Sequence, residues 1–72
     1  MSRLTTISYN DLIRKLKMFG FYGPFSGGKH LYMVKDNLRL TVPNPHKQKI
    51  GVELQMRIIR QAGITRGKWI EE

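Results

Sequence analysis

The dipeptide Asp36-Asn37 stands between two runs of alternating apolar and polar residues, and no other feature constrains the fold of this chain as much. Aspartate and asparagine tolerate the backbone dihedral angles of a tight hairpin turn. The sequence therefore predicts a β-hairpin between Lys29 and Pro43. A two-residue turn also fixes the register, so that Lys35 faces Leu38, Met33 faces Leu40 and Leu31 faces Val42.

This register divides the side chains of the predicted hairpin between two faces, because successive residues of a strand point in opposite directions. The apolar face consists of Leu31, Met33, Leu38, Leu40 and Val42. The opposite face consists of His30, Tyr32, Val34, Arg39 and Thr41. We expect helices to cover the apolar face and the opposite face to stay open.

Amphipathic segments on both sides of the hairpin predict those helices. The first helix is predicted from Ser8 to Phe19, with the Ser8 side chain capping its free amides and Gly20 ending it in a left-handed conformation. The second helix is predicted from Gly51 to Ala62, with Gly63 at its end. A short third helix is predicted from Thr65 to Glu72, with Trp69 packed inward.

The apolar segment from Phe21 to Phe25 is interrupted by Gly23 and Pro24, and it is an edge strand at most, because proline has no N–H group for a central ladder. The resulting order of elements, a helix, two or three strands and a helix, predicts an α+β sandwich in which helices pack on one face of an antiparallel sheet. A chain of 72 residues predicts one domain, 1–72. Since it has no cysteine, disulfides, thiolate zinc sites and cysteine nucleophiles are excluded.

The formal net charge of +8 favours a polyanionic partner, because Lys and Arg side chains near phosphates release condensed counterions. Nucleic acid is the first candidate, and an anionic membrane surface or an acidic protein partner remain as alternatives. No apolar run approaches the roughly 20 residues that span a bilayer, and the first residues lack the pattern of a secretory signal. We therefore predict a cytoplasmic protein without a membrane anchor.

His30 follows the glycines Gly27 and Gly28, and Lys29 precedes it directly. A histidine ordinarily titrates near pH 6.5, so at neutral pH it can take the proton of an RNA 2′-hydroxyl while a nearby cation stabilises the phosphate. Lys29 and Arg39 are the candidate phosphate contacts, and Tyr32 can stack on a base. The local pattern is also that of an ordinary polar residue on an exposed strand, and both interpretations stay open.

The second imidazole, His46, lies in a segment that Pro43 and Pro45 hold extended. It is a candidate general acid or phosphate contact, or a residue that orders the loop; Lys47 and Lys49 after it are candidate RNA contacts. We predict no metal and no cofactor, because Asp36, Glu53, Glu71 and Glu72 are scattered and two histidines alone make a weak ligand set. Ser26, His30 and Asp36 are the residue types of a catalytic triad, but any small protein contains such a set, and we discount it.

Four motifs in order resemble the HicA family of bacterial toxins, over roughly Ser8 to Thr65. They are Phe19-Gly20-Phe21, Gly28-Lys29-His30, Leu40-Thr41-Val42-Pro43-Asn44-Pro45-His46 and Ile58-Ile59-Arg60-Gln61-Ala62-Gly63-Ile64. The resemblance implies a fold like the double-stranded RNA-binding domain, with the order helix, three strands, helix, in which Phe21 to Phe25 is the edge strand despite Pro24. It further implies a translation-independent mRNA interferase and a cognate HicB-type antitoxin that occludes it.

In that family the histidine of a Gly-Ser-His motif is catalytic, and the matching residue here is His30. Lys29 stands at the position where a serine is common in the family. Any role that the hydroxyl of that serine has in the family cannot be carried over to Lys29. The resemblance favours a ribonuclease toxin that acts on mRNA. Two other functions remain: a non-catalytic RNA-binding domain of the same architecture, and an interaction module that docks an acidic protein.

Overall fold

The computed structural model describes residues 4–44 and 49–71, which form an α+β fold. In chain order the elements are β1 (Ile7–Ser8), α1 (Tyr9–Met18), β2 (Tyr22–Ser26), β3 (Leu31–Lys35), β4 (Leu38–Val42), β5 (Lys49–Ile50), α2 (Val52–Ala62) and α3 (Arg66–Glu71). The predicted order of a helix, three antiparallel strands, a helix and a short terminal helix is confirmed. Strands β1 and β5, which pair with each other, were not predicted.

The predicted capping residues lie at both ends of helix α1. The Ser8 hydroxyl oxygen accepts a hydrogen bond from the backbone N–H of Asp11 at 3.1 Å. At the other end Gly20 has a φ of 96°, and the N–H of Phe21 donates to the carbonyl of Leu16 at 3.1 Å. The helix is one residue shorter at each end than predicted, because Ser8 and Phe19 occupy the two capping positions and are not part of the helix.

The hairpin of β3 and β4 has the predicted turn and register. Its pairs include Leu31 with Val42, Met33 with Leu40 and Lys35 with Leu38. Asp36 has a φ of 53°, the positive value that a tight turn requires and that aspartate tolerates. The local turn chemistry therefore determined the pairing of this part of the sheet.

The core face of the hairpin is covered only in part. Met33, Leu40 and Val42 are buried, whereas Leu31 is half-buried. The expectation that Leu38 lies in the core is wrong, since 37% of this residue is exposed. The reason is the length of α2: its last residue, Ala62, lines the same shallow hollow as Leu38, so the helix ends before it can cover this side chain.

Strand β2 forms the predicted edge of the sheet, but it contains an irregularity. Tyr22 pairs with Val34 and Phe25 pairs with Tyr32, so β2 has one residue more than β3 between these two pairs. A bulge of this kind reverses the alternation of side chains along the strand. Tyr22 and Phe25 therefore lie on the same face of the sheet, whereas Phe21, which precedes the strand, is buried in the core.

A buried glutamine connects the elements outside the three-stranded sheet. The Gln55 side chain of α2 is fully buried, and its Nε2 donates to the carbonyl of Thr5 at 2.6 Å and to that of Ile50 at 3.0 Å. Its Oε1 accepts from Nε1 of Trp69 at 3.1 Å. Both N–H groups and the oxygen of the amide are hydrogen-bonded, so its burial leaves no polar group unpaired.

Helix α3 docks on the core through Trp69, which is fully buried as predicted. Its ring stacks on Phe19 with the centroids 5.9 Å apart. Lys15 of α1 donates from Nζ to the Trp69 carbonyl at 2.9 Å, and the same ammonium lies 5.1 Å from the centre of the indole ring. Within residues 4–44 and 49–71, no helix is long and apolar enough to cross a membrane.

Candidate functional site

His30 lies in the bend that joins β2 to β3 and is exposed to solvent. Its backbone carbonyl accepts a hydrogen bond from the N–H of Gly27 at 3.1 Å, which closes the bend. Gly28 has a φ of 91°, a conformation that residues with a side chain rarely adopt. The glycines before His30 thus have a structural role, because they let the chain reverse and start β3 directly after the imidazole.

His30 borders a hollow of about 300 Å³ between the end of the sheet and α2. Pockets that hold small ligands occupy roughly 300–1,000 Å³, so this one lies at the small end of that range. The lining residues are His30, Thr41, Val42, Pro43, Leu54, Arg57, Ile58 and Gln61. We call this surface the His30 hollow.

His30 does not lie on the open face beside Tyr32, where the hairpin register predicts it, but next to α2. Strand β3 begins at Leu31, so the alternation that assigns faces within a strand does not extend to His30. The imidazole instead borders the junction between the sheet and α2. Val42 of the core face and Thr41 of the open face both line the hollow at this junction.

Two polar residues of this hollow, Arg57 and Gln61, were missed from the sequence. They stand four positions apart on α2 and therefore project from the same side of the helix. A guanidinium group offers up to five N–H donors to phosphate oxygens, and an amide offers two. The sequence of α2 gives no reason to place these two residues next to His30, because the pattern of a helix does not show which strand it packs against.

Tyr32 and Arg39 lie together on the open face of the sheet. The guanidinium carbon of Arg39 is 3.8 Å from the centre of the Tyr32 ring, which is a stacked cation–π contact. Phe25 lies on the other strand beside Tyr32, with the ring centroids 5.6 Å apart and tilted by 40°. A Cβ atom on Gly27 would lie 2.6 Å from Nη2 of Arg39, so glycine leaves the room that this stack needs.

The remaining predicted site residues are dispersed. Lys29 is exposed in the bend beside His30, and Lys49 is exposed in β5. His46 and Lys47 lie outside the described residues. In residues 4–44 and 49–71 there is no group of three or more histidine and acidic side chains that could hold a metal ion.

The discounted triad of Ser26, His30 and Asp36 is incompatible with the fold. Ser26 and His30 lie at one end of β3, and Asp36 lies in the turn at the other end. Five residues of strand span about 16 Å, which is far beyond the reach of an Asp–His hydrogen bond.

A second hollow, of about 620 Å³, lies between α1 and Pro24 of β2 and shares no lining residue with the His30 hollow. Tyr9 contributes to its wall, and the buried Tyr9 hydroxyl has no hydrogen-bond partner among the described residues. Burial raises the pKa of this hydroxyl above its usual value, because the charged phenolate is poorly solvated there.

Comparison with known protein families identifies the chain. The family model described as the HicA toxin of bacterial toxin-antitoxin systems matches residues 9–64, which contain the His30 hollow and the open face of the sheet. The chain belongs to the HicA toxin family. It is therefore a toxin of a toxin-antitoxin system, as the four motifs predicted. Searches of curated proteins and of solved structures gave no match.

Proposed function

We propose that this HicA-family toxin is an endoribonuclease that cleaves mRNA independently of translation and without a metal ion, with His30 as the general base. One observation carries the proposal: in a chain of this family, an exposed imidazole and the guanidinium group of Arg57 border the same hollow. A proton acceptor beside a cation is the pair of groups that internal cleavage of RNA requires.

The chemistry begins when the His30 imidazole takes the proton of a ribose 2′-hydroxyl. The freed oxygen attacks the adjacent phosphorus, and the bond from phosphorus to the 5′-oxygen of the next nucleotide breaks. That leaving oxygen takes up a proton, for which His46 is the candidate donor. The products are a 2′,3′-cyclic phosphate and a free 5′-hydroxyl end, so the step consumes no water molecule.

The cations have separate tasks in this proposal. Arg57, and Lys29 in the bend beside His30, neutralise the charge that gathers on the phosphoryl oxygens as the 2′-oxygen attacks. Lys47 and Lys49 contact backbone phosphates of the bound strand, and Tyr32 and Arg39 contact the RNA on the open face. The antitoxin of the pair, proposed to be of the HicB type, blocks this surface when bound.

The purified chain should fragment mRNA in a reaction that contains an excess of chelator. We expect the fragments to carry 2′,3′-cyclic phosphate and 5′-hydroxyl ends, which can be read by treatment with end-specific phosphatase and kinase. Intact RNA bound in a salt-sensitive manner would contradict the proposal and favour the non-catalytic RNA-binding domain. A chain that neither cleaves nor binds RNA would favour the acidic-protein interaction module.

Replacement of Arg57 by alanine should lower the rate of cleavage about 10- to 100-fold, because one stabilising donor to the transition state is lost. Arg60→Ala is the matched control: it removes the same charge from the same helix, but Arg60 does not line the His30 hollow. The measurement is the single-turnover cleavage rate of each variant. Equal rates for the two variants would exclude Arg57 from the site.

A further inference from the structure

The bulge in β2 gives the open face of the sheet an unusual composition. Tyr22 and Phe25 both lie on this face, next to their pairing partners Val34 and Tyr32. Their exposed fractions are 72% for Tyr22 and 45% for Phe25. Large exposed apolar side chains that are grouped together usually mark a binding surface. We call Tyr22, Phe25 and Tyr32 the aromatic cluster.

Arg39 completes this surface and fixes its geometry. In the register of the hairpin Arg39 is the diagonal neighbour of Tyr32, and its guanidinium group stacks on the Tyr32 ring at 3.8 Å. Phe25 lies beside the same ring, so Tyr32 is held between an arginine and a phenylalanine. The absence of a side chain at Gly27 is what allows Arg39 and Tyr32 to come this close.

We infer that the aromatic cluster with Arg39 is a stacking surface for unpaired nucleobases, which makes single-stranded RNA the substrate class. This inference rests on the proposed function, because it specifies which RNA reaches the His30 hollow. Base faces are hidden inside an A-form duplex and become available only where bases are unpaired. Exposed aromatic rings and guanidinium planes are the groups on which such bases stack, whatever their sequence.

The positive charge of the chain favours RNA over an uncharged apolar partner for this surface. The chain carries a formal net charge of +8, and Arg39 stands within the cluster itself, so a strand with one phosphate per base is the complementary ligand. Arg39 has a second task on this surface. With its flat side on Tyr32, its N–H groups remain at the edge of the stack, where they can donate to a phosphate.

The test uses the full chain carrying His30→Ala, so that RNA survives the measurement. Fluorescence anisotropy at fixed salt compares a labelled 12-nucleotide strand with the same strand in a perfect duplex. We expect the unpaired strand to bind at least about tenfold more tightly, and Phe25→Leu to weaken its binding about 5- to 150-fold, the effect of losing one base–aromatic stack. A 2-aminopurine in the strand should be quenched on binding, and Phe25→Leu should reduce the quenching.

Leu38→Ala is the matched control, because Leu38 is also partly exposed on this sheet but belongs to the other face. It should bind both RNAs as the parent does, and all variants should unfold at similar temperatures. Equal affinity of the parent for strand and duplex, unchanged binding by Phe25→Leu, or no RNA binding at all would overturn the inference. Loss of the proposed function is a different result: chains with His30 intact would bind the strand with quenching but fail to cleave it.

Discussion

Replacing His30 by alanine is expected to lower RNA cleavage by about 10²- to 10⁴-fold, the range that a general base contributes. Among the side chains that line the His30 hollow in the described part of the chain, the imidazole is the only one whose chemistry is that of a general base, so no neighbour there can replace it. The measurement is the rate of single-turnover cleavage of a labelled mRNA fragment. We expect RNA binding to change little, because the basic and aromatic contacts remain.

Two controls separate the loss of a base from the loss of structure. His30 is exposed, so His30→Ala should change the free energy of unfolding by less than about 0.5 kcal/mol. His30→Asn keeps a polar side chain but has no group that takes up a proton, and it should be as inactive as the alanine variant. A folded alanine variant that cleaves at the parent rate would remove His30 from the mechanism.

Trp69→Ala should cost about 3–5 kcal/mol of folding free energy, as truncation of a large buried aromatic side chain does. The variant loses the stack on Phe19 and the ring beneath the Lys15 ammonium, and it leaves Oε1 of the buried Gln55 without its donor. A chain of 72 residues has a total stability of about 4–11 kcal/mol, so this loss removes a large share of it. Urea denaturation followed by circular dichroism measures the loss.

Trp69→Phe is the graded comparison for this result. It keeps an aromatic ring against Phe19 and removes the indole N–H, so its free energy of unfolding should lie between those of the parent and the alanine variant. Val52→Ala, at an exposed position of α2, should stay within about 0.5 kcal/mol of the parent. A loss below about 1 kcal/mol for Trp69→Ala would mean that α3 contributes little to the fold in solution.

The features that could be predicted from the sequence are those that neighbouring residues decide. Asp36-Asn37 specified the turn, and the turn specified every pair of the hairpin. Ser8 and Gly63 marked a helix start and a helix end, because capping depends on the hydrogen bonds and dihedral angles of a few consecutive residues. The buried position of Trp69 followed from its size and apolar surface.

Other parts of the fold depend on contacts between distant segments, and they were missed or misplaced. The two-residue strands β1 and β5 are too short to show an alternating pattern, and only their mutual pairing makes them strands. The bulge that brings Tyr22 and Phe25 to one face arises from the pairing of β2 with β3. The exposure of Leu38 depends on where α2 ends over the sheet.

The sequence by itself determined the fold class, the hairpin register and the family, and it selected His30 by its chemistry and by the motif around it. Only the tertiary structure decided which side chains surround that imidazole. Arg57 and Gln61 reach the His30 hollow because α2 packs against β4, and a pattern of neighbouring residues contains no information about such packing. The same reason applies to the aromatic cluster. A single extra residue in β2 reverses the side-chain alternation of this strand, and it thereby brings Tyr22 and Phe25 to the same face of the sheet.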